Sequence, residues 1–161
     1  MGESMKKVIF SVIFVFAVNC LWAIDYETLK NSKPWHALVT FIEDFSTRTS
    51  AGRDMQIEKM AGQKITWAAL VIDSSDDGLG HYYLIMTPNF ENLLSAVEDE
   101  IKLEKDFKEP IPNVKLNVYC SRDFAASVRR NELVKFVGTV SKWNAPDSDN
   151  GPPTIDVQSD E

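Results

Sequence analysis

With 161 residues and a net charge of −7, the chain is long enough to bury one core without metal or disulfide staples, and one domain is the default. An acidic surface repels phosphate backbones, which disfavours non-specific nucleic-acid binding unless the lysines are strongly segregated.

Lys6 and Lys7 precede an apolar run over 8–18, broken only by Ser11, that ends near Ala23. A positive start, a short hydrophobic core and a small residue before polar sequence make a bacterial-type secretory signal. Glu3 is unusual in such a start, which makes Met5 a candidate initiator. Three readings stand. The first is cleavage after Ala23; the second is an uncleaved anchor, since extending the run through Ile24 reaches the lower end of the spanning range. The third is a lipoprotein acylated on Cys20 after removal of Ala17, Val18 and Asn19, with Asn19 where such a box has glycine or alanine and Ala17 where it has leucine. All three put the body of the protein outside the cytoplasm, secreted, periplasmic or anchored in the envelope, with the membrane touched only through this segment. Cleavage after Ala23 removes two lysines and one glutamate and leaves −8. It also leaves Cys120 alone, so no intrachain disulfide forms and stability comes from packing.

In 34–45, Trp35, Leu38, Val39, Phe41, Ile42 and Phe45 recur at helical spacing behind a Ser32 N-cap, with Pro34 near the first turn. That pattern predicts an amphipathic helix. Residues 46–62 are polar and weakly periodic, with Met55, Ile57 and Met60 compatible with a second short helix. Residues 65–72 are β-branched and apolar on both faces and predict a strand; 73–80 is a turn-forming cluster; 81–87 is the return strand of a hairpin, stopped by Pro88 and Asn89. Over 90–107, Phe90, Leu94, Val97 and Ile101 share one helical face among acids and lysines, which predicts a helix inserted before the next strand. In 114–120, Val114, Leu116, Val118 and Cys120 alternate with Lys115, Asn117 and Tyr119, the clearest strand pattern in the chain. Residues 124–133 read as a short helix and 134–143 as a long strand with a bend or bulge at Gly138. A loop of Pro, Asp, Asn and Gly over 144–153 leads to a last short strand, 154–158, with Ile155 and Val157 facing one way.

Two strands, a third after an insertion, a short helix and two more strands follow the order of an OB-fold barrel. Val118, Tyr119 and Cys120, then Ser121 and Arg122, a helix carrying Ala125, Ala126 and Val128, and a strand over 133–140 rich in valine resemble the tRNA_anti-like family of small, often secreted OB-fold proteins. In that family a V-x-C strand leads through a short helix to a strand of the form G-x-x-V-x-V-x-G-x-V. The resemblance covers roughly 62–157. Asn131 stands where the family usually has glycine, and asparagine tolerates the left-handed conformation; the insertion over 90–107 is the larger departure. The fold expected is α+β, mainly β: a five-stranded OB-fold-like barrel over 62–161, one or two amphipathic helices over 24–61, a helical insertion between strands 2 and 3, and the signal or anchor over 1–23.

An OB barrel of this kind presents its ligand face on the outward residues of strands 2 and 3. Alternation assigns Lys115, Asn117 and Tyr119 to it, beside either Tyr83 and Ile85 or Tyr82, Leu84 and Met86. An aromatic next to a cation suits stacking on a sugar, a peptide or single-stranded nucleic acid; ordinary half-buried strand tyrosines are the plainer explanation. Non-catalytic binding of a protein, peptide or saccharide is the expectation. Nucleic acid is less favoured on charge, and the oligonucleotide-binding alternative requires a basic-aromatic face at Lys115, Tyr119 and Lys135. The 73–78 segment matches the opening of a calcium loop, which makes Asp73, Ser75 and Asp77 weak metal candidates, but Leu84 occupies the position of the closing acid. Cys120 reads as a small buried hydrophobe. His36 and His81 have no catalytic or metal-ligand spacing, the acids Glu98, Asp99, Glu100, Glu104 and Asp106 read as a solvated helix face, and Arg129 with Arg130 is too short a patch for nucleic acid. No cofactor is expected, and an envelope hydrolase, which needs a polar cleft with a carboxylate or histidine of shifted pKa, is the alternative of a different class.

Overall fold

Ser32 starts the first helix by accepting a hydrogen bond from the Trp35 backbone at 3.4 Å, with Pro34 in the first turn where no N–H is needed. The computed structural model describes residues 31–89, 111–148 and 151–161. The expected signal or anchor over 1–23, with Cys20, and the expected insertion over 90–107 lie outside the described residues. Among the described residues no helix is long and apolar enough to cross a membrane.

Helix α1 (Lys33–Thr47) buries Trp35, Leu38, Val39, Ile42 and Phe45 along one stripe, as the spacing predicts. Thr49 caps α2 (Ser50–Met60), which buries Ile57 and half-buries Met60 but leaves Met55 56% exposed. Arg53 of α2 donates to the Phe45 and Ser46 carbonyls at the end of α1, satisfying acceptors the helix terminus leaves open.

Five strands follow: β1 (Ile65–Asp76), β2 (Tyr82–Thr87), β3 (Lys115–Cys120), β4 (Leu133–Asn144) and β5 (Thr154–Ser159), with α3 (Arg122–Ser127) between β3 and β4. They close into a barrel in the order β1-β2-β3-β5-β4, with β3 and β5 parallel and every other pair antiparallel. This is an OB-fold-like barrel with N-terminal helices, as the element order predicts. The described residues from Ser32 to Glu161 form one compact unit.

Two 12-residue strands make the closure possible because each serves two neighbours. β1 pairs with β4 through Ile65–Leu70 and with β2 through Leu70–Asp76, with a register shift between Val71 and Asp73. β4 pairs with β1 up to Gly138 and with β5 from Gly138 onward, with a second shift between Val140 and Lys142. A Cβ at Gly138 would meet the Gln158 carbonyl oxygen at 2.3 Å, so the bend needs glycine. The core holds Trp67, Leu84, Met86, Phe136, Ile155 and Val157 from the barrel, joined by Leu38, Ile42, Phe45 and Ile57 from the two long helices. Val114, Leu116 and Val118 point inward at 1% exposure or less, while Cys120 is half-buried at the rim of the same face.

Two boundaries depart most from the sequence expectation. β1 runs on to Asp76 through four residues expected as turn, because pairing with β2 supplies what Ser and Asp lack in strand preference. α3 covers only Arg122–Ser127, and Val128 is already extended. Asn131 takes φ +64, the left-handed conformation anticipated for it, and its N–H donates to the Val71 carbonyl at 2.8 Å, tying the turn before β4 to β1.

Candidate ligand-binding face

On the outer surface of β1, β2, β3, β5 and β4 the register aligns side chains into two lateral rows. In the first, Ser75, Tyr83, Tyr119, Gln158 and Thr139 are successive partners across all five strands. In the second, Asp73, Ile85, Asn117, Asp156 and Lys142 are aligned in the same way. Lys115 sits opposite Thr154 one further step along β3. The hairpin register therefore decides between the two alternatives for β2: Tyr83 and Ile85 share the face with Asn117 and Tyr119, whereas Leu84 and Met86 face the core.

Tyr83 and Tyr119 stand with ring centroids 5.2 Å apart and planes inclined by 39°, both half-buried. Two rings so arranged form a rigid amphipathic platform whose hydroxyls remain usable. Burial pushes the Tyr119 phenol above its ordinary value of 10.0, and the charges of Asp156, Tyr83 and Asp77 push it in the same direction.

Asp156 lies in the second row between Asn117 and Lys142. Its side chain is 4% exposed, with Asn117 Nδ2 donating to Oδ1 at 3.0 Å and Lys142 Nζ 3.6 Å from Oδ2. A buried carboxylate needs such partners. Asp73, at the other end of the row, pairs with Arg130 at 2.8 Å.

Where β2 begins and β3 and β5 end, a cleft of about 380 Å³ is lined by Gly80, His81, Tyr82, Tyr119, Cys120, Ser121, Arg122 and Gln158. Tyr119 and Gln158 belong both to this cleft and to the first row, so the two are continuous. The Arg122 guanidinium lies 6.0 Å from the Tyr82 ring centroid. His81 Nδ1 is 2.7 Å from Asp77 Oδ2, and this hydrogen bond, with backbone donors from Leu79 and His81, holds the Asp77 carboxyl below the ordinary aspartate range. Burial pushes the Cys120 thiol up, which keeps it protonated and a poor nucleophile.

The face brings together Tyr83, Lys115, Asn117 and Tyr119 of the expected ligand residues. Tyr82 does not join them: it is the register partner of Cys120, packs against the core and lines the cleft instead. Lys135 does not either, because the half of β4 that carries it pairs with β1, where its partner is Ala68. Asp73, Ser75 and Asp77 do not wrap a loop; the first two are extended in β1, Asp73 is engaged by Arg130, and Asp77 closes the hairpin turn by accepting from Leu79 and His81 N–H groups. Among the described residues no group of three His, Cys, Asp or Glu is arranged to hold a metal ion.

Sequence reasoning did not single out Asp156, Gln158, Lys142 or Arg122. The inward pointing of Ile155 and Val157 implies the opposite direction for Asp156 and Gln158, which is the one signal available for them. No protein-family model matches the chain, and no curated protein matches it in sequence.

Proposed function

We propose that the protein is a non-catalytic binding module of the bacterial cell envelope and that the outer face of β2, β3 and β5 takes its protein, peptide or saccharide partner. The observation that carries this reading is the half-buried Tyr83–Tyr119 pair, set among amide and hydroxyl groups on the OB face and continuous with a cleft. The signal-like segment over 1–23 supports an envelope address. The V-x-C strand, short helix and valine-rich β4 support the kinship suggested by the tRNA_anti-like resemblance.

The oligonucleotide alternative is weakened by the register that sets Lys135 opposite Ala68, away from Tyr119, and by the carboxylate of Asp156 within the face. The hydrolase alternative has a polar cleft, but burial raises the Cys120 thiol in it, and Asp77, hydrogen-bonded to the lining residue His81, is lowered rather than raised.

Co-sedimentation of the full chain with envelope fragments tests the reading. Joint replacement of Tyr83 and Tyr119 by alanine is expected to abolish retention of correctly folded protein. Retention indifferent to both tyrosines overturns the proposal.

A further inference from the structure

We infer that the ligand of the Tyr83–Tyr119 face is a neutral polysaccharide chain lying across the strands along the row from Ser75 to Thr139. This rests on the binding-module reading and names the ligand class for the same face.

The first argument is the chemistry of the row. Ser75, Tyr83, Tyr119, Gln158 and Thr139 supply three kinds of group, hydroxyl, amide and aromatic ring, and no charge. Sugar hydroxyls each donate and accept, so they need neighbours that do both, as hydroxyls and a carboxamide do. The C–H face of a pyranose carries a slight positive polarity that suits the negative face of an aromatic ring. Gln158 is exposed and Tyr83 and Tyr119 are half-buried, so polar groups and ring surface are presented together.

The second argument is spacing. Neighbouring strands lie about 4.8 Å apart, so the three strand steps from Tyr83 through Tyr119 and Gln158 to Thr139 span roughly 14 Å along the surface. Linked pyranoses repeat at an interval of the same order as the strand spacing, which aligns one sugar with each strand of the row. The cleft beside Tyr119 and Gln158 adds depth at one side, where the Arg122 guanidinium offers a fork of donors to hydroxyl and ring oxygens.

The third argument is exclusion. The charges in the adjoining row stand in opposite-sign pairs, Asp156 with Lys142 and Asp73 with Arg130, so an anionic chain on the row would compete with carboxylates for cations that already have partners there. Asp156 and Asp77 both act on Tyr119 as negative charges, and a polyanion laid on the ring pair would meet that field. An extended peptide can add as a strand to an open sheet edge; in this closed barrel β2, β3 and β5 are each paired on both sides, so the strands under the ring pair and Gln158 present no such edge.

The test uses the full chain, labelled with nitrogen-15 and titrated separately with maltohexaose, cellohexaose and chitohexaose, with a uronate hexamer and a thymidine hexanucleotide as charged arms. At least one neutral hexasaccharide is expected to move the amide signals of Tyr83, Tyr119 and Gln158. Tyr119→Ala is expected to weaken binding about tenfold or more. Gln158→Ala, an exposed position that leaves the fold intact, is expected to weaken it severalfold. Movement of the same amides by a charged hexamer alone overturns the neutral-saccharide inference while leaving the face as the binding site. Silence of the face toward every neutral hexasaccharide also overturns the inference, and tyrosine-dependent envelope retention then separates this failure from failure of the binding-module reading itself. A neutral saccharide that binds with signals moving only elsewhere on the molecule overturns it as well.

Discussion

Asn117 and Asp156, 39 residues apart, face each other across the parallel β3–β5 ladder, and the Asn117 amide donates to the Asp156 carboxylate at 3.0 Å. Lys142 approaches the other oxygen only to 3.6 Å, and its own side chain is 64% exposed. The amide, not the ammonium, therefore holds the buried charge. Asn117→Ala is expected to destabilise the fold by about 2 kcal/mol, since a buried carboxyl group loses its close donor. Lys142→Ala is expected to cost less than about 1 kcal/mol, as an exposed and loosely held partner does. Urea unfolding of the two variants checks the ordering, and equal losses contradict it.

Gly138 carries the bend that lets β4 leave β1 and join β5. Gly138→Ala would drive a methyl group into the Gln158 carbonyl, a backbone atom that cannot rotate away. A loss of about 2 kcal/mol or more is expected, concentrated in the β4–β5 ladder. Hydrogen exchange should show the Gly138–Asn144 amides losing protection before those of the β1–β2 hairpin; uniform loss would contradict the assigned role.

At the β1–β2 turn, Asp77 is held below its ordinary value of 3.8 chiefly by His81, and Asp73 chiefly by the Ser74 N–H and then by Arg130. Carboxyls depressed in the folded state add stability that is complete above the ordinary aspartate range and is lost as pH falls through the lowered values. Acid should loosen this hairpin turn first. Asp77→Asn is expected to flatten the response of the Gly78, Leu79 and His81 amide signals between about pH 5 and about pH 2. An unchanged acid response in the variant would show that Asp77 is not the group responsible.

The difference between Tyr82 and Tyr83 shows what the sequence could not carry. From His81 to Thr87 nearly every position is apolar or aromatic, so alternation has no phase to read. The phase is set by pairing with β3, whose own alternation of Lys115, Asn117 and Tyr119 with buried valine and leucine was legible from the residues alone. Lys135 illustrates a different limit. Its strand and its outward direction follow from sequence, but a strand shared between two neighbours changes partner at Gly138, and only closure of the barrel shows on which side of that bend the ligand face lies. Asp156 was invisible for a related reason, since its burial arises from a parallel pairing between segments far apart in the chain. The helices and core were more open to reading, because Ser32, Pro34 and the Trp35–Phe45 stripe are local signals that tertiary structure had only to accept.

Tyr119 offers the most direct probe of the ring platform because its environment is written into its titration. Burial raises its phenol above 10.0, and Asp156, Tyr83 and Asp77 add to the effect. An acid whose folded value is raised favours the fold fully below its unfolded value and loses that contribution as pH climbs through the folded one. The unfolding midpoint in urea should therefore fall as pH climbs beyond about 10. Tyr119→Phe keeps the ring and removes the ionisable group, so the variant should show a shallower alkaline fall and lack one upshifted phenolate step in the ultraviolet titration. If wild type and variant fall in parallel and share every step, Tyr119 is not seated between Tyr83 and the acids as described.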